Sequence, residues 1–184
     1  MDTHSTPRRA GAVTFGRYSS ADVRGGLLYM TDGGMYEVRA YAPDRGLARI
    51  LRVLREPRAV GDALLEDYYD PLLEYAATPE ERRRSEELRA AWPHAETLPW
   101  ISGIVVDESG GVWVREYQHR FDPSPERWAV FDLDGTWLGR VQMPVGFTPS
   151  WIDADRVLGV SRGELGMEFV RVYALHRSSE KALR

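Results

Sequence analysis

The sequence predicts an all-β fold of stacked antiparallel sheets, and three observations predict it. A hairpin pattern recurs along the chain, turn residues punctuate the apolar runs at short intervals, and strands near the middle are apolar on both faces.

The recurring pattern occupies three segments. SADVRGGLLYMTD (20–32) leads into YEVRAYAPDRGLARILRV (36–53), SGIVVDESGGVWVREY (102–117) into RWAVFDLDGTWLGRVQM (127–143), and PSWIDADRVLGVSR (149–162) into EFVRVYAL (168–175). Each opens with a short strand and a polar turn, then a second apolar strand, a loop and a third strand. The first two segments add a fourth strand; the third runs out before one. Val38, Trp128 and Val170 align, as do Ala40, Val130 and Val172, and then Tyr41, Phe131 and Tyr173. Leu47-Ala48-Arg49-Ile50 is matched with Leu138-Gly139-Arg140-Val141, one residue being gained in the turn. Trp128 and Val170 are 42 residues apart; Val38 and Trp128 are 90 apart, with a helical excursion between them that leaves a similar period. A four-stranded unit repeating at about 40–45 residues marks a β-propeller blade. The expected fold is therefore an all-β partial β-propeller, about three four-stranded antiparallel blades with a helical insertion.

Residues 1–11 read as a flexible tail and 12–184 as the β domain, interrupted by the insertion at 57–97. ESGG (108–111) and DLDG (132–135) place glycine where a hairpin needs positive φ, and RGG (24–26) and DADR (153–156) serve the same purpose less strictly. VWV and WAVF offer apolar side chains to both faces, which suits a blade sandwiched between neighbours. In the insertion, Leu64, Leu65, Tyr68, Leu72 and Tyr75 have helical spacing, expected to break at Pro71. A second helix starts at Thr78 as N-cap, with Pro79 at its first position and Glu81 completing a capping box. Leu88 and Trp92, four apart, are expected to share its buried face.

These runs, taken with the acidic helical insertion and VLGVSRGELGMEFVRVYAL, resemble the C-terminal half of bacterial six-bladed β-propeller proteins, over nearly all of residues 13–175. The resemblance implies architecture and almost nothing about activity. Family members are longer and often exported. As written, with no signal peptide, this chain is expected to stay in the cytoplasm, and to be exported if it is a truncated fragment of a longer six-bladed precursor.

Three blades do not close a ring. An open arc exposes two apolar faces of about 500 Å² each, which forgoes on the order of 12 kcal/mol per face at about 25 cal/mol per Å². Two copies related by a two-fold axis, a homodimer, would complete a six-bladed ring. The segment GAVTF (11–15) is a candidate for the third unit's missing outer strand.

Composition narrows the functions. The chain has 24 basic and 28 acidic residues, a net charge of −4 that argues against a nucleic-acid partner. All the basic residues but Lys181 are arginine, which reads as the codon usage of a GC-rich genome before it reads as an anion-binding surface. With no cysteine, disulfides and thiolate metal sites are excluded. The longest apolar runs, such as ISGIVV, are too short to span a bilayer. His4, His94, His119 and His176 lack zinc spacing, and DLDG lacks the closing Glu of a calcium loop. No nucleotide-binding glycine motif and no nucleophile elbow occurs. Neither a metal nor a cofactor is expected.

Asp32, Glu116 and Arg162 occupy equivalent places at the ends of their second strands, with Arg115 and Glu164 beside them and His119 on the following loop. A propeller gathers such residues at its channel mouth, where they could hold a small polar ligand. Trp92 and Trp100, which bracket the end of the insertion, are candidate groove aromatics, whereas Trp113 and Trp128 are core. No residue set demands catalysis, so the expected function is a non-enzymatic binding or interaction scaffold for a small ligand or protein partner. The alternative is a lactonase-like, metal-dependent hydrolase using Asp32, Glu116 and His119.

Overall fold

A computed structural model describes residues 13–74, 76, 78–119, 121–122, 124–163 and 165–177, and of residues 72, 73 and 88–90 the backbone alone. The tail expected over 1–11 lies outside the described residues, as do Tyr75, Glu164 and the side chains of Leu72 and Leu88. Strands β1 (Ser20–Arg24), β2 (Leu27–Thr31), β3 (Glu37–Ala42) and β4 (Gly46–Arg52) form the first sheet in that order. The insertion follows: β5 (Arg58–Ala59), helices α1 (Asp62–Glu74) and α2 (Pro79–Ala91), and β6 (Thr97–Leu98). β5 pairs with β6, so a two-residue ladder ties its ends together. The second sheet has the order β7 (Ile101–Val106), β8 (Val112–Glu116), β9 (Arg127–Phe131), β10 (Trp137–Gln142). The third has β11 (Phe147–Ile152), β12 (Arg156–Arg162) and β13 (Glu168–Ala174). All pairings within the three sheets are antiparallel, and the fold is the expected all-β partial propeller. Among the described residues no helix is long and apolar enough to cross a membrane.

The turns follow from local chemistry. Arg24 pairs with Leu27, leaving a two-residue loop in which Gly25 and Gly26 both have positive φ (57° and 74°), the geometry that matches strand twist and that a side chain would strain. Asp132 and Asp153 close later turns by accepting from the backbone two to four residues on: Asp132 from Asp134 and Thr136, Asp153 from Asp155 and Arg156.

Alternation along the strands builds two cores. Val112 and Val114 of β8, with Ala129 and Phe131 of β9, face the first sheet and pack with Tyr29, Tyr36, Val38 and Ala40. Trp113, Trp128 and Val130 face the other way and pack with Phe147, Ile152 and Val157 of the third sheet. The second blade is therefore buried on both sides, as its apolar strands require.

The innermost strands lie side by side. Ser20 Oγ accepts from the Ile104 amide (3.1 Å), Asp22 Oδ2 from the Val106 amide (2.7 Å), and Arg24 bonds Glu108 (2.7 Å). The same step of 84 residues at three successive contacts shows β1 and β7 running in the same direction. Glu108 continues the seam to β11, its amide donating to the Ile152 carbonyl (3.0 Å) and its carboxylate accepting from Trp151 Nε1 (2.6 Å).

Several expectations are corrected. The register pairs Ile50 with Arg39 and Arg140 with Ala129, so Ile50 corresponds to Arg140 and Leu51 to Val141. No residue is gained in the turn, because both fourth strands bulge at the same place, Ala48 and Leu138. Pro71 does not break α1 but lies within it. The helix is anchored one turn earlier by tertiary packing, Tyr68 meeting Phe15 (4.9 Å) and Phe121 (5.4 Å) edge-on. Trp92 is the exposed C-cap of α2, with extended backbone, and not part of a buried helix face. The described part of GAVTF, residues 13–15, does not supply the third sheet with a strand. Its Thr14 bonds instead to the insertion, donating to Pro93 O and accepting from the Ala95 amide (both 2.9 Å). The capping box of Thr78 and Glu81 forms as expected.

One buried carboxylate links the second and third blades. Asp107 is fully buried, and its Oδ1 accepts from Ser109 N and Oγ and from Gly111 N, its Oδ2 from Trp113 Nε1 (3.1 Å) and Arg177 (3.0 Å). Burial pushes this carboxyl up, but the donors Ser109, Trp113, Arg177 and Gly111 outweigh it and hold the pKa below the ordinary Asp value. Glu37 is held low too, first by the hydrogen bond from Arg52 and further by Arg39. A carboxyl with a depressed folded pKa contributes stability above its unfolded value, about 3.9 for Asp and 4.3 for Glu, and loses it as the pH falls through the folded value. Asp107→Ala is expected to cost about 3 kcal/mol in urea unfolding at pH 7. The deficit should shrink on titration below about pH 4, where wild type loses the same contribution.

Candidate functional site

β8 ends in adjacent residues that alternation sends to opposite faces: Arg115 follows Trp113 toward the third blade, Glu116 follows Val114 toward the first. Two cavities share Glu116 as a wall.

The first, about 260 Å³, is lined by Arg115, His119, Asp122 and Glu126 among others. Arg115 is fixed by its own blade, Nε donating to Ser102 Oγ (3.0 Å) and a terminal nitrogen to Ser102 O (3.1 Å). Asp122 is held below the ordinary Asp range, first by the hydrogen bond from the Ser124 side chain. His119 faces the insertion: its Nε2 lies 3.2 Å from Asp67 of α1, and its ring packs edge-on against Tyr68 (6.1 Å) and Phe15 (6.4 Å). Its Nδ1 is buried without a partner.

The second cavity, about 250 Å³, is lined by Arg55, Arg58, Trp100, Tyr117, Arg127 and Arg140 around Glu116. Arg58 sits over the Trp100 ring at 4.3 Å and Arg55 over the same ring at 5.1 Å. Such cation–π contacts hold guanidiniums without neutralising them. Tyr117 is pushed up to about 12 by burial, and Tyr36, under Arg55 (4.6 Å), to about 12 by burial and then by the Glu116 charge. Both phenols are therefore neutral near pH 7.

The predicted site residues are divided among several places. Arg115, Glu116 and His119 meet in one cavity, and Trp100 lies across Glu116 in the other. Asp32 lines a separate cavity of about 150 Å³ beside Met30, Met35 and Arg39, where its carboxylate accepts from the Gly34 amide. Arg162 is on the third sheet, exposed and bound to Glu168 (2.5 Å). Trp92 walls a fourth cavity, of about 590 Å³, with Tyr69 and His94. Asp32 thus does not join Glu116 and His119. Among the described residues no group of three or more His, Cys, Asp or Glu is placed to hold a metal ion.

Sequence reasoning missed Arg55, Arg58, Arg127 and Arg140, because a chain rich in arginine makes each one unremarkable as a signal. A signal did exist. Arg115 pairs with Trp128, so the same register sets Glu116 opposite Arg127, and Arg140 beside Ala129 lies one strand further out.

The His119–Asp67 contact is a polar tie between the loop and α1. His119→Ala is expected to leave the blades folded while speeding proteolytic cleavage within 57–97 several-fold, read by mass spectrometry of the fragments. Unchanged protection would show that the insertion is held by its other ties, the β5–β6 ladder and the bonds of Thr14, without this contact. Compared with known proteins, the chain matches no family model and no curated protein.

Proposed function

We propose that this chain is a non-enzymatic binding scaffold, in which rigid blades hold a small polar ligand in the clefts flanking Glu116. The observation that carries the reading is the convergence of charged side chains from β4–β5, β8, β9 and β10 on two cavities of a few hundred Å³ beside one half-buried carboxylate. Fixed polar groups on strands in a concave site are what selective binding of a small molecule requires. The resemblance to six-bladed propellers supports it, since that architecture serves as a frame for variable loops.

A thermal-shift screen of small polar compounds tests this. A compound present at about 100 times its Kd should raise the melting temperature by about 5–10 °C, and Arg115→Gln combined with Arg127→Gln, one arginine from each cavity, should abolish the rise. A shift produced by Ca²⁺ or Zn²⁺ alone would favour the metal-dependent hydrolase instead.

A second reading concerns partners. The faces buried between blades are repeated, uncovered, at the two ends of the arc. Val38 and Trp128 are 2% exposed against the next blade, whereas Val170, at the equivalent position of the third, is 80% exposed, with Val172 and Val160 beside it. At the other end Val23, Leu28, Met30 and Ile50 are exposed on the back of the first sheet. We propose that two copies pair these faces about a two-fold axis to complete a six-bladed ring. Light scattering should give twice the chain mass at micromolar concentration, and Val170→Asp with Val172→Asp should halve it. A wild-type monomer at tens of micromolar would remove this reading.

A further inference from the structure

We propose that the cavity walled by Arg55, Arg58, Arg127 and Arg140 is a binding site for a small polyvalent oxyanion bearing carboxylate or phosphate groups. The inference rests on the reading of the Glu116 clefts as ligand sites and names the ligand's chemistry.

Charge carries it first. Four guanidiniums face one carboxylate, and the remaining walls, Trp100 and Tyr117, bring no negative charge. The formal excess is +3, which a monovalent ion leaves largely unmet.

Geometry carries it second. Glu116 approaches Arg140 at 3.5 Å, Arg55 at 3.7 Å and Arg127 at 3.8 Å. A charge-assisted bond is usually about 2.7–2.9 Å, and this molecule makes such pairs elsewhere, Arg24 with Glu108 at 2.7 Å and Arg162 with Glu168 at 2.5 Å. The arginines therefore stand around a space and do not collapse onto the carboxylate within it.

Arg58 supplies the third observation. One terminal nitrogen donates to the Pro99 carbonyl, but its Nε is buried and has no acceptor. Burial lowers its pKa, and the like charges of Arg127 and Arg55 lower it further against the opposing pull of Glu116. A buried donor on a permanent cation without an acceptor is costly, and an oxyanion removes that cost.

Size and shape narrow the class. At about 250 Å³ the cavity falls below the range of about 300–1,000 Å³ typical of larger ligands. Arg55 and Arg58 both lie over Trp100, so recognition runs through oxygen atoms and not through ring stacking. Arg58, Arg127 and Arg140 stand on strands, which limits the ordering cost on binding.

Calorimetry on the full chain tests the proposal, with citrate and inorganic phosphate as probes and sodium chloride holding the ionic strength constant. Citrate, phosphate or both should bind one to one, and their relative affinities distinguish carboxylate from phosphate chemistry. Arg127→Gln and Arg140→Gln, at partly exposed positions, should each weaken binding roughly tenfold. Glu116→Gln should tighten it, by removing the competing carboxylate. Arg45→Gln, on the exposed β3–β4 turn, should change nothing. Failure of both probes to bind, or equal weakening by Arg45→Gln and Arg140→Gln, would overturn the proposal. If both probes fail while a neutral compound binds in a Glu116-dependent way, the anion assignment falls and the scaffold reading stands. If no compound of any charge binds, both fall.

Discussion

A sheet that is apolar on both faces has no side to give to water, and the second blade is such a sheet. Val112 and Val114 point one way, Trp113 the other, and β9 divides in the same manner. Each fully buried side chain of this size contributes about 1.5–3 kcal/mol, so a neighbour on either side is obligatory. The first and third blades are those neighbours. Their positions set the seam of inner strands, and the seam sets where β8 and β9 end and which charged residues meet there.

Much of this was legible in the sequence because hairpin chemistry is local. Glycine pairs and Asp-led turns marked the reversals, and the triplet Val38, Trp128, Val170 does occupy one equivalent face in each blade, as the matching cross-strand pairs Tyr29–Ala40, Trp113–Val130 and Leu158–Val172 show. The fourth strands misled because LARI and LGRV look alike one residue out of step. A bulge conceals itself in sequence, since the residue it adds is as apolar as its neighbours. Pro71 misled for a different reason: its effect on the helix is local, but the aromatic packing that anchors α1 through Tyr68 comes from Phe15 and Phe121, distant in sequence.

The candidate site was legible only in part. Glu116 ends a strand and carries charge in an apolar context, which singled it out. The arginines around it come from the end of the first blade, the start of the insertion and two strands of the second blade, and only the folded register assembles them. Asp107 was hidden as well. It reads as one more turn residue, yet its second oxygen reaches Trp113 in the core and Arg177 past the last strand. Residues that act at long range look ordinary in their local windows.

The seam between the inner strands has a consequence for how the molecule keeps to itself. Amides along the margin of a sheet invite any extended chain to add on, the first step toward fibrous assembly. Here the amides of Ile104 and Val106 are already occupied by the hydroxyl of Ser20 and the carboxylate of Asp22. These short polar groups satisfy the donors without offering a further ladder to extend, so the central margin of the second blade is closed to recruitment of foreign strands.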